Sequence, residues 1–115
     1  MKAKFYLGVL FLSAVSGKAF SATNVWVNNA TINGVQVMHD GTFIAYLPAN
    51  EGSICSQGGR LHYVQSGVNE VTPEGLKSLL SIALVAQTTG KKVSILYDPG
   101  SSNCYVQRIY LSNEI

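Results

Sequence analysis

Residues 72–97 read TPEGLKSLLSIALVAQTTGKKVSILY, and the hydrophobic period changes within them. Leu76, Leu79, Leu80, Ala83 and Ala86 recur at three- and four-residue spacing, the stripe of an α-helix. Thr72 can cap its start, Pro73 suits its first turn, and Gly90 can end it. Ile82 and Leu84 widen the stripe, and Val85 intrudes on the polar side formed by Lys77, Ser78, Ser81 and Thr88. The apolar sector covers about half the circumference, against roughly 100° for a simple core-facing helix. Two explanations stay open: a helix sunk deep in its own domain, or one with an edge against a neighbouring subunit. From Lys92 to Tyr97 the period becomes two, with Val93, Ile95 and Tyr97 alternating against Ser94 and Leu96, which predicts a strand.

The same alternation extends on both sides of this stretch. Downstream, Asp98 to Asn103 is turn-rich, and Cys104 to Leu111 alternates Tyr105, Gln107, Ile109 and Leu111 against Val106, Arg108 and Tyr110. Upstream, Asn24 to Met38 reads as a broken strand or two short ones. Asp40-Gly41 marks a hairpin, and Thr42 to Leu47 is the return strand, ended by Pro48. A loop follows over residues 49–59, and a third strand over Arg60 to Gln65. The order is three strands, one helix, two strands. It predicts a mainly β fold with one helix: an OB-fold, a five-stranded Greek-key barrel with its helix between strands three and four.

The chain has 115 residues, room for one domain. Its start reads as an export signal over residues 1–21. Lys2 and Lys4 precede the apolar run Phe5 to Val15, and Ala19-Phe20-Ser21 fits the small-x-small pattern before a cut. As a helix that run would span only about 16 Å, too short to cross a membrane. The expected domain is residues 22–115, in a secreted or periplasmic protein. Three of the eight Lys/Arg leave with the signal, so five basic residues face six acidic ones and the mature net charge is near −1. Such a surface does not favour nucleic acid. Cys55 and Cys104 are expected to pair as a disulfide in an exported domain, because their separation lacks zinc-ligand spacing.

The run Leu76 to Tyr97 resembles the B subunits of subtilase-cytotoxin and pertussis-like bacterial toxins, and related small exported OB-fold proteins. Ala86, Thr89-Gly90, Lys91 and Cys104 carry the resemblance, with the signal, the Asp40-Gly41 hairpin and Cys55 in accord. It implies a homopentamer that recognises host-cell glycans and carries a catalytic toxin A subunit. The family's glycan-contacting residues have no counterpart in the N-terminal half of this sequence.

The chemistry-bearing residues point away from catalysis. No nucleophile elbow, His-Glu-x-x-His or phosphate-cradling glycine loop occurs. His39 beside Asp40 falls in a hairpin turn and reads as solvated, and His62 reads as exposed or at an edge. No enzyme activity, cofactor or metal is expected. Sugar binding needs an aromatic face for the apolar side of the ring and polar groups for its hydroxyls. Trp26, the single tryptophan, lies near Asn28 and is the first candidate, followed by Tyr46, Tyr63 and Tyr105. An exported interaction or inhibitor protein of the same fold, with no toxin partner, is the alternative reading.

Overall fold

A computed structural model describes residues 24–49, 51–55 and 59–112. The expected export signal lies outside the described residues. The elements in chain order are β1 (Val25–Ala30), β2 (Gly34–Val37), β3 (Phe43–Tyr46), β4 (Leu61–Val64), α1 (Pro73–Thr89), β5 (Val93–Tyr97) and β6 (Val106–Leu111). The protein is mainly β, with one helix among the described residues, between the fourth and fifth strands. The strands form two antiparallel three-stranded sheets, ordered β1-β5-β6 and β2-β3-β4.

The expected single barrel is not closed, and the stretch from Asn24 to Met38, read as a broken strand or two short ones, forms two, so six strands stand where the order counted five. Asn29 adopts a left-handed φ of 56°, and the β1–β5 register shifts between Val27 and Ala30. A shift of this kind bends the strand and redirects the chain. β1 therefore pairs in one sheet and β2 in the other. Between the two sheets lies one continuous core that includes Val27, Phe43, Leu47, Val64, Ile95, Tyr97 and Val106.

Local chemistry sets both ends of α1. The Thr72 side-chain oxygen accepts the Gly75 N–H at 3.0 Å, and Pro73 opens the first turn. At the far end Gly90 has a φ of 75°, and its N–H donates to the Ala86 carbonyl at 2.9 Å. Such a left-handed cap suits glycine because no Cβ opposes it. Leu76, Ala83 and Ala86 are buried, while Leu79, Leu80 and Ile82 pack against the core from its margin. Leu84 and Val85 remain 41% and 44% exposed, so the helix is not sunk in its own domain. Replacing the cap, Thr72→Ala, is expected to cost about 1 kcal/mol, with Thr72→Ser close to neutral. Urea midpoints of the two variants test this, and equal midpoints would remove the cap from the account.

The Cys55–Cys104 disulfide joins the loop after β3 to the turn before β6, with Cα atoms 5.8 Å apart. Beside it the Tyr63 N–H donates to the Asn103 carbonyl at 3.2 Å, linking β4 to the same turn. Among the described residues no helix is long and apolar enough to cross a membrane.

Candidate functional site

The outer face of the β1-β5-β6 sheet carries two exposed aromatic side chains. Trp26 is 45% exposed and Tyr110 62% exposed. Strand register places them: Trp26 sits opposite Leu96, which sits opposite Arg108, while Ser94 sits opposite Tyr110. Trp26, Asn28, Ser94 and Tyr110 line a shallow cavity of about 380 Å³. Trp26 and Tyr110 also border a groove of about 480 Å³ running toward the first turns of α1, with Glu70, Gln107, Arg108 and Ser78 on its walls. Gln107 donates from Nε2 to Glu70 Oε1 at 2.9 Å, which holds the groove's carboxylate in place. The face combines aromatic surface with hydrogen-bond donors and acceptors, the chemistry that sugar rings require.

Two of the residues singled out in sequence, Trp26 and Asn28, thus come together. Of the other three, Tyr46 and Tyr63 lie on the β2-β3-β4 sheet and Tyr105 just before β6, and none lines either cavity. The Tyr46 hydroxyl donates to Gln36 Oε1 at 2.7 Å. Tyr63 meets Tyr105 edge-on, with ring centroids 6.3 Å apart, and so braces β4 against the segment before β6.

Tyr110, Ser94 and Arg108 were not foreseen as neighbours of Trp26. Strict alternation put Val106, Arg108 and Tyr110 on one face. Instead the β5–β6 register shifts between Leu96 and Tyr97, and both Val106 and Ile109 point inward. One extra residue reverses the alternation beyond it and leaves Arg108 and Tyr110 outside.

His62 also corrects its expectation. It is fully buried rather than exposed. It stands opposite Ala45 in the sheet, whose small side chain leaves space for the ring. Its Nε2 lies 2.8 Å from Ser53 Oγ, and its ring meets Tyr97 edge-on at 5.0 Å. Nδ1 has no hydrogen-bond partner among the described residues. Burial lowers its pKa to about 4, and the nearby Arg60 backbone offsets only part of that shift. Ser53 and His62 resemble a nucleophile and its base by distance alone. A histidine so reluctant to take a proton, with no carboxylate on its second nitrogen, is a poor general base at neutral pH.

The His39-Asp40 pair behaves as a turn. Asp40 Oδ1 accepts the Thr42 N–H at 3.0 Å, and this bond is the main reason its carboxyl titrates below the usual range. Gly41, at a φ of 91°, completes the hairpin between β2 and β3. No family model matches the chain, and no curated protein matches it.

Proposed function

We propose that this chain is an exported, non-enzymatic binding protein of the toxin B-subunit kind, which recognises a host-cell glycan through the face around Trp26. The observation that carries the reading is the exposed Trp26, which shares a cavity with Tyr110, Asn28 of β1 and Ser94 of β5. The indole offers a flat apolar surface to a sugar ring, and the neighbouring polar groups reach its hydroxyls. An OB-fold is proposed for the same chain. Its support is the strand order and a first strand shared between two sheets, with the helix preceding the last two strands. Export is supported by the leader-like start and by a disulfide, a bond that persists in oxidising compartments.

A glycan array probed with the oxidised protein is the direct test. Trp26→Ala is expected to weaken the best-bound glycan at least 30-fold, about 2 kcal/mol, as for a central aromatic anchor. Tyr46→Ala, on the other sheet, should leave affinity unchanged. An array with no retained glycan overturns the reading.

The second reading, an interaction protein without a toxin partner, is favoured by the apolar flank of α1. There Leu80 and Leu84 lie on one side of the helix, and Leu80 shares a cavity of about 300 Å³ with Val37 and Leu76. A pentamer covering this flank supports the toxin-like assembly, whereas a monomer that lacks glycan affinity supports the second reading.

A further inference from the structure

Between β3 and β4, the residues Ser53–Cys55 meet the core at one buried histidine. Ser53 Oγ meets His62 Nε2 at 2.8 Å and accepts the Cys55 N–H at 3.3 Å. The Ile54 N–H donates to the Tyr97 hydroxyl at 2.8 Å, and the Tyr97 ring packs edge-on to His62. Ser53, His62 and Tyr97 therefore form a clamp between this segment, β4 and β5. Ser53 Oγ keeps a second lone pair after accepting from Cys55, so it pairs with Nε2 as donor or as acceptor, and in either tautomer Nδ1 has no partner among the described residues.

We infer that the Ser53–His62–Tyr97 clamp is an acid-operated latch, which releases the segment around Ser53–Cys55 when His62 takes a second proton. The groups facing the ring are few. β3 presents Ala45, β5 presents Tyr97, and the segment itself presents Ser53. Glu51 is turned away, its Oε1 accepting the Thr31 N–H at 2.9 Å, and the Arg60 side chain is exposed. No charged side chain contributes to the shift at His62. Among the described residues an imidazolium would have no counter-charge and only the Arg60 backbone to favour it, so the ring is better solvated outside. Among the described residues the other ties of this segment are the Cys55–Cys104 bond, the Thr31 N–H to Glu51 and the contact of Cys55 Sγ with the Leu61 carbonyl, and none of them is a ladder bond between strands, so the segment can leave without the sheets parting.

The sign follows from the lowered pKa. A histidine that titrates near 6.5 when released, and at about 4 when latched, binds more protons in the open form between those values. The latch is intact above pH 6.5 and weakens as pH falls through the window. The opening constant should rise about tenfold by pH 5.5 and about 80-fold by pH 4.5.

Amide hydrogen exchange on the oxidised full-length mature chain reads this at Ile54, whose N–H is fastened by Tyr97. After correction for intrinsic exchange, its protection should fall by these factors while amides of β5 hold theirs. His62→Phe should remove the pH dependence. The imidazole C–H shift of the wild-type chain, followed by NMR, should titrate with the same midpoint as the loss of Ile54 protection, a check independent of that variant's folding. Unchanged Ile54 protection at pH 4.5 overturns the latch, and so does loss of β5 protection in step with Ile54.

Discussion

Removing the Cys55–Cys104 disulfide lowers the unfolding free energy by about 4 kcal/mol. The bond closes a loop with a sequence separation of 49. Cutting it returns to the unfolded chain the freedom that the cross-link denies, and a loop of this length gives close to that figure in the chain-entropy model. The effect is large because a domain of this size buries a modest core and has about 5–10 kcal/mol to lose. The double variant Cys55→Ala/Cys104→Ala avoids a stray thiol, and guanidinium unfolding measures the difference. The denaturant slope should rise as well, because an uncross-linked chain exposes more surface when it unfolds. A loss below about 1 kcal/mol would mean that the bond staples segments already held by other contacts.

Phe43→Ala costs a similar amount, about 3–5 kcal/mol, by a different route. Phe43 is fully buried at the start of β3, the central strand of its sheet, opposite Val37 and Val64. Truncation removes the transfer free energy of the ring and leaves a cavity that two flanking strands cannot collapse to fill. Phe43→Leu should lose less than half as much, since it keeps most of the volume. Thermal unfolding of the alanine variant should fall by about 20 °C. A shift of only a few degrees would show that the space between the two sheets repacks.

The parts of the fold legible in sequence are those decided within a few residues. Thr72, Pro73 and Gly90 bound the helix through capping hydrogen bonds and a left-handed turn, all local to the chain. Asp40-Gly41 makes the hairpin for the same reason. The cysteine pairing was legible by a different argument, from the redox chemistry expected of an exported chain rather than from the spacing of the strands. The candidate site was half legible. Trp26 and Asn28 could be named because an indole amid amides is chemically conspicuous. Tyr110 could not, since its face depends on a register shift fixed by pairing with β5.

The residues alone determined a mainly β fold with one helix over the described residues, the ends of that helix, the first hairpin and the identity of the disulfide partners. The tertiary structure alone decided that the first strand divides between two sheets, that His62 turns inward opposite Ala45, and that Tyr110 joins Trp26 outside. The division follows from range. Caps and turns are set by neighbours in the chain, whereas strand register is set by partners many residues away. A single-residue slip in that register exchanges inside for outside.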